Sequence, residues 1–153
     1  MIDTPHLADA AGMQTAAIHL TIPRDKMPEV FGPAVGEILA TLAAQGIDPA
    51  GPFFAHHFSM TPGVFDFALG VPVETPVRPE GRVAPGELPA MRVARTVHYG
   101  PYEGLPASWG AFDAWIAAQG LSTRQNLIER YVVHPNADPD PAAWRTELNR
   151  PLA

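Results

Sequence analysis

Cysteine is absent from this 153-residue chain, and lysine occurs once among its ten basic residues. The lack of cysteine excludes disulfides and cysteine-based metal sites. The formal net charge of −6 and the scattering of the basic residues exclude the basic surface of a dedicated nucleic-acid binder. No apolar run is long enough to span a membrane, and the first ten residues lack the basic and apolar parts of a signal peptide. We therefore expect a cytoplasmic protein that neither binds nucleic acid directly nor enters a membrane.

The composition is typical of a globular protein. Hydrophobic residues make up 46% of the chain and charged residues 17%, which excludes a disordered chain. A chain of this length can bury most of its apolar surface in one core. We expect a single domain over residues 1–153.

The first half predicts the element order β-α-β-β. Branched residues ended by Pro23 indicate a strand, and apolar residues at helical spacing between Pro28 and Gly46 indicate a helix. Two further branched and aromatic runs flank a T-P-G turn. The predicted elements are a loose arm over residues 1–13, a strand at Gln14–Ile22, a helix at Pro28–Gln45, and strands at Phe53–Met60 and Val64–Val73.

The second half predicts the same order after a proline-rich stretch. Thr75–Pro89 holds four prolines and two glycines and is interpreted as a surface loop. This loop would join halves of about residues 14–74 and 88–152. The predicted elements after it are a strand at Met91–Tyr99, a helix at Leu105–Gln119, a strand at Asn126–His134, a turn at Asp138–Pro141, and a closing segment at Thr146–Leu152.

A repeat relates the two halves. The sequence A-A-Q-G-I at 43–47 recurs as A-A-Q-G-L at 117–121, an offset of 74 residues, and the predicted helix ends agree with it. We therefore expect an α+β fold of duplicated β-α-β-β units, related by a pseudo-twofold axis, with a central ligand cleft. At this offset Ala55 corresponds to Glu129, and His57 corresponds to Tyr131.

Glu129 is the residue that fits its surroundings least. Alternation along a strand predicts that Leu127, Glu129, Tyr131 and Val133 share one face. Among such neighbours a carboxylate is either solvated or paired with arginine, or it lies at the floor of an apolar pocket that receives a polar or cationic ligand. Because its counterpart is Ala55, Glu129 has no acidic partner across the predicted axis, which favours the ligand-binding hypothesis.

Other patterns of catalytic or metal sites are missing from the sequence. His56 and His57 are adjacent and would point to opposite faces of a strand, so no metal site is predicted and no cofactor is expected. There is no Gly-x-Ser-x-Gly turn and no glycine-rich phosphate loop. No His/Asp frame is visible for the few serines, Ser59, Ser108 and Ser122, although such a frame can also form in space.

Several motifs in order resemble the GyrI-like small-molecule-binding family. They include H-Y-G-P-Y-E-G-L at 98–105, two tryptophans six apart at Trp109 and Trp115, and E-R-Y at 129–131, with G-P-F-F-A at 51–55 and F-D-F-A-L-G-V-P-V at 65–73 in the first half. The family includes the effector-binding domains of AraC- and MerR-type multidrug regulators. Because no DNA-binding domain is visible here, the resemblance implies a standalone member. It also implies a duplicated fold whose central cleft holds the acid of the E-x-Y motif.

The resemblance implies binding of lipophilic aromatic or cationic small molecules, for sequestration or sensing. Two alternatives remain open. One is a hydrolase of strained, cyclopropane-bearing electrophiles with Glu129 and Tyr131 as catalytic residues, and the other is a protein that binds DNA gyrase. His57 stands where the family often has tyrosine, so polarity on that side can differ. The predicted ligand-binding residues are Glu129, Tyr131, Trp109, His57, Phe53 and Tyr102.

Overall fold

The computed structural model describes residues 2–59, 63–135 and 137–153. The described residues form a mixed α+β fold with antiparallel strands. The elements in chain order are β1 His6–Ala10, β2 Met13–Pro23, α1 Met27–Ala44, β3 Phe54–Ser59, β4 Val64–Pro72, β5 Ala84–Leu88, β6 Met91–Tyr99, α2 Leu105–Ala118, β7 Leu127–Val133 and β8 Arg145–Pro151.

The chain divides into two compact units. Unit 1 comprises Met1–Ala10 and Met91–Ala153, and unit 2 comprises Ala11–Ala90. The strand order is β1-β6-β8-β7 in unit 1 and β3-β4-β2-β5 in unit 2. The predicted order β-α-β-β is present in both, as β6-α2-β7-β8 and as β2-α1-β3-β4.

Each helix packs through a narrow apolar stripe. In unit 1, Phe112 and Ile116 of α2 join Ala94 and Leu148 in a buried cluster. In unit 2, α1 buries Ala34, Ile38 and Leu42. Both helices end before a glycine in the left-handed region, Gly46 with φ 67° and Gly120 with φ 70°, as the repeated A-A-Q-G sequence predicts. No helix within the described ranges is long and apolar enough to cross a membrane.

Two predicted irregular segments contain strands instead. The prediction of a loose arm was wrong for His6–Ala10, which pairs along β6. The first residues of the chain therefore belong to unit 1, together with the second half of the chain. The prediction of a surface loop was wrong for Ala84–Leu88, which pairs along β2. Both are edge strands in their units and are largely exposed, so neither shows an apolar period. An edge strand also tolerates Pro85, whose missing N–H would disrupt the pairing of a central strand. Thr61 and Pro62 of the predicted T-P-G turn lie outside the described residues.

An irregular step interrupts the strand that follows the helix in each unit. The pairing of β3 with β4 shifts between His57 and Ser59, and that of β7 with β8 shifts between Tyr131 and Val133. The prediction that Val133 shares a face with Tyr131 was therefore wrong, because the two pair with the adjacent residues Arg145 and Thr146. The residues inside the shifts, Phe58 and Val132, are large hydrophobics exposed by 40% and 48%. They are 74 residues apart.

Candidate functional site

Unit 1 brings together two rows of side chains across β6, β8 and β7. Directly paired residues on neighbouring strands place their side chains on the same face of a sheet. The registers of these three strands define the rows Thr96–Leu148–Glu129 and His98–Thr146–Tyr131. Leu148 also belongs to the core cluster of α2, so this face of the strands is the one that the helix covers.

Glu129 lies in this face and is only 9% exposed. Its Oε2 accepts a hydrogen bond from Nε1 of Trp109 at 2.7 Å, and its Oε1 accepts one from the hydroxyl of Tyr131 at 3.1 Å. Both carboxylate oxygens are therefore bonded to aromatic side chains. Hydrogen bonds to a carboxylate favour its ionised form and offset part of its desolvation.

The arginine-paired interpretation of Glu129 was wrong. Arg92 pairs with Asp9 at 3.1 Å, whereas Arg95 and Arg130 pair with Glu147 at 3.4 Å and 3.1 Å. Across the part of the chain that the structure describes, no ion pair reaches Glu129. Within the described residues the carboxylate is thus buried without an arginine or lysine partner.

Burial governs the titration of this acid and of its tyrosine neighbour. Desolvation raises the pKa of Glu129, and the hydrogen bonds from Trp109 and Tyr131, together with nearby His98, oppose that rise. Desolvation and the adjacent carboxylate raise the pKa of Tyr131 well above its ordinary value. Tyr131 therefore keeps its proton and remains a hydrogen-bond donor at neutral pH.

Further aromatic rings surround this acid. Trp109 is partly buried in α2, and its ring packs against Phe112 with centroids 5.7 Å apart. Tyr102 lies in a short 3-10 turn before α2, with its ring 6.0 Å from Tyr131 and 5.2 Å from Trp144. Four of the predicted ligand-binding residues are thus assembled in unit 1: Glu129, Tyr131, Trp109 and Tyr102.

A buried His–Ser pair lies beside this group, and its contact was not predicted from the sequence. Nδ1 of His98 is 2.6 Å from Oγ of Ser108, and Nε2 is 2.8 Å from the carbonyl oxygen of Pro101. His98 is 1% exposed and Ser108 is 4% exposed. The signal was present in the motif H-Y-G-P and in a serine that faces inward from the first turns of the helix.

The other two predicted residues, His57 and Phe53, lie in unit 2. The imidazole of His57 stacks on Phe67 and meets Phe65 edge-on, both with ring centroids 5.0 Å away. Its Nδ1 is buried without a hydrogen-bond partner. Burial, together with the positive charges of His56 and Arg24, lowers the pKa of His57 to about 4. Phe53 immediately precedes β3 and is partly buried.

The described part of unit 1 is suited to holding an organic ligand by one charge and several ring faces. Within residues 2–59, 63–135 and 137–153, no group of three or more His, Asp or Glu side chains is placed to hold a metal ion. The sequence profile of the GyrI-like small molecule binding domain matches residues 5–153. The chain belongs to this GyrI-like family. No protein with a curated description matches it.

Solved structures of low sequence identity share the GyrI-like fold. The crystal structure of the EcmrR C-terminal domain superposes with a TM-score of 0.87 at 17% identity, covering 98% of this chain and 97% of that one. In the cryo-EM structure of an EcmrR–DNA complex, the match has a TM-score of 0.86 at 18% identity and covers 97% of this chain. This chain spans 57% of the length of that EcmrR chain.

Two further solved structures are a ligand-bound protein and a hydrolase. SAV2435 bound to tetraphenylphosphonium matches with a TM-score of 0.72 at 12% identity, over 99% of this chain and 94% of that one. A hydrolase from Listeria innocua matches with a TM-score of 0.68 at 13% identity, over 97% of this chain and 91% of that one. At these identities the likeness shows the fold alone.

Proposed function

We propose that this GyrI-like chain binds lipophilic aromatic cations through Glu129 of unit 1. The observation that carries the proposal is a buried carboxylate that accepts hydrogen bonds from two aromatic side chains and forms no ion pair with arginine or lysine among the described residues. A carboxylate in such surroundings has lost most of its hydration, so an incoming cation supplies the opposite charge that compensates for this loss. The ligand needs no single shape, because ring faces stack on many flat or propeller-shaped molecules.

The aromatic side chains contribute to the same preference. A cation over the face of an aromatic ring gains about 0.5–2 kcal/mol, with the larger values in desolvated sites. Trp109, Tyr131 and Tyr102 surround the carboxylate with such rings. The structure of SAV2435 with tetraphenylphosphonium supports this ligand class, and that cation is a suitable first probe.

The test is calorimetric titration with a cation and a neutral molecule of similar shape. Tetraphenylphosphonium and triphenylphosphine oxide form such a pair. Glu129→Gln retains the volume and removes the charge; its amide oxygen can still accept from Trp109, while its NH2 group can donate to the Tyr131 hydroxyl in place of the bond that the carboxylate accepted. We expect a loss of about ten- to a hundredfold in affinity for the cation, and little change for the neutral molecule.

The matched control is Glu147→Gln in the same unit. Glu147 is also a half-buried acid, but it pairs with Arg95 and Arg130. We expect this variant to lose stability and to keep its affinity for the cation. Equal losses for both ligands in Glu129→Gln, or equal losses in the two variants, contradict the proposal.

A second candidate is hydrolysis of strained electrophiles in the same place. The contact of the protonated Tyr131 hydroxyl with Glu129 favours it, since the pair offers a donor and a base 3.1 Å apart. The hydrolase from Listeria innocua shares the fold. If this candidate is correct, Glu129→Gln abolishes turnover of an electrophilic substrate while binding persists. Binding to gyrase stays a prediction, and partner capture that survives Glu129→Gln would favour it.

Two finer predictions belong with this proposal. Contact of His57 and Phe53 with ligand stays a prediction, to be tested by His57→Phe in the same titration. Duplication of one β-α-β-β unit is supported by the common element order and by the irregular steps at Phe58 and Val132, whereas the pseudo-twofold axis and the central cleft stay predictions.

A further inference from the structure

The imidazole of His98 holds two segments of unit 1 at once. The carbonyl oxygen of Pro101 can only accept, so in the neutral imidazole Nε2 carries the proton and donates to it at 2.8 Å. Nδ1 then presents its lone pair, and the hydroxyl of Ser108 donates to it at 2.6 Å. Both nitrogens of this buried ring are therefore satisfied, and the carbonyl of Pro101 fixes the tautomer.

One bond reaches the residue just before the 3-10 turn, and the other reaches the first turn of α2. Pro101 directly precedes Tyr102, and Ser108 directly precedes Trp109. A methyl group on Gly104, midway between them, would lie 2.9 Å from Cε1 of His98, so the turn passes in contact with the ring. Neither the 3-10 turn nor the N-terminus of α2 has a side-chain cap of its own.

This arrangement connects His98 to two of the rings near Glu129, because each hydrogen-bond partner of His98 directly precedes one of them in the sequence. Trp109 reaches the carboxylate by a directed hydrogen bond of 2.7 Å, whose strength falls steeply when the helix rotates or shifts. Tyr102 meets Tyr131 edge-on, and Tyr131 donates to the other carboxylate oxygen. Both contacts depend on where the turn and the first helical residues are placed.

We propose that His98 is a positioning residue that holds Trp109 and Tyr102 against the Glu129 site through Ser108 and Pro101. The inference rests on the proposed function for its ligand, but its geometry exists without ligand. It predicts that removing the Ser108 hydroxyl loosens the hydrogen bond between Trp109 and Glu129, although that hydroxyl takes no part in the bond.

The test is the indole N–H region of a proton–nitrogen NMR spectrum without ligand, with Trp109 assigned through Trp109→Phe. Ser108→Ala should move the Trp109 indole proton upfield, because its charge-assisted bond to Glu129 weakens. Gly104→Ala should move it in the same direction, because the added methyl displaces the ring while retaining every polar group. In both variants tetraphenylphosphonium should bind about three- to tenfold more weakly.

Thr146→Val is the matched control. Thr146 lies between His98 and Tyr131 in the same row, and its buried hydroxyl has no hydrogen-bond partner. Its replacement should leave the Trp109 resonance and the cation affinity at their wild-type values. An unchanged resonance in both Ser108→Ala and Gly104→Ala overturns the proposal, as does an equal change in Thr146→Val. If wild type fails to bind the cation, the proposed function fails, while the resonance still decides the role of His98.

Discussion

The strands that follow the helices of the two units carry different polar groups at corresponding places. In β7 the acid Glu129 is buried and accepts two hydrogen bonds. In β3 the position 74 residues earlier is Ala55, and the buried polar group is His57, whose Nδ1 has no partner within the described residues. Burial raises the pKa of Glu129 and its two donors oppose that rise, whereas at His57 burial and the positive charges of His56 and Arg24 all lower the pKa. The comparison shows that local donors and neighbouring charges, together with burial, set how strongly each unit resists a buried charge.

The helices differ in a second way. In unit 2 the side chain of Gln45 bonds to both backbone groups of Arg78, and Glu37 pairs with Arg82 at 2.6 Å, so the proline-rich segment is tied to α1. In unit 1 the corresponding Gln119 is exposed and makes no side-chain hydrogen bond within the described residues. The repeated A-A-Q-G sequence thus has an additional role in only one unit.

The largest expected effect is an acid-dependent loss of stability caused by His57. Its pKa of about 4 lies below the ordinary 6.5, so between these values the unfolded chain binds more protons and stability falls as the pH falls. The loss amounts to about 3 kcal/mol over this interval. His57→Phe should lack it, as measured by urea unfolding at several pH values. His6→Gln on β1 should keep it, and parallel curves for wild type and His57→Phe would contradict the assignment.

A smaller effect is expected at the orphaned hydroxyl of unit 1. Thr146 is fully buried and its Oγ1 has no partner, but it cannot titrate as His57 does. Thr146→Val should raise the free energy of unfolding by about 1–2 kcal/mol at every pH, since it removes an unsatisfied polar atom at nearly constant volume. Denaturant unfolding at pH 5 and pH 8 measures this. A loss of stability would show that the hydroxyl has a partner in solution.

The smallest effect separates the two glutamines of the repeat. Gln45→Ala should destabilise the protein by about 1 kcal/mol, because two hydrogen bonds to Arg78 are lost at an exposed site. Gln119→Ala should change the free energy of unfolding by no more than about 0.5 kcal/mol, as for an ordinary surface position. Thermal unfolding of the two variants gives the comparison directly. Equal changes in both would mean that the tie to α1 adds no stability.

The sequence predicted those parts that depend on local periodicity. Both helices and the strands β2, β4 and β6 lie within two residues of their predicted bounds, because alternation and helical spacing are properties of the segment itself. The edge strands β1 and β5 were missed because their largely exposed side chains show no apolar alternation. Glu129 was found because a buried acid conflicts with its neighbours. His98 and Ser108 were not, because their contact depends on how the turn at Pro101 folds back.

The irregular step after Tyr131 has a consequence for how this chain tolerates a change of length. An extra residue in one strand absorbs a change of phase, so the chain beyond Val132 can start its next turn without rotating the side chains before it. In unit 2 the corresponding shift lies at Phe58. We therefore expect an inserted residue after Val133 to leave Glu129 and Tyr131 paired with the same residues of β8. Deleting Val132 removes the extra residue, so we expect it to turn the side chains on one side of the step to the opposite face of the sheet.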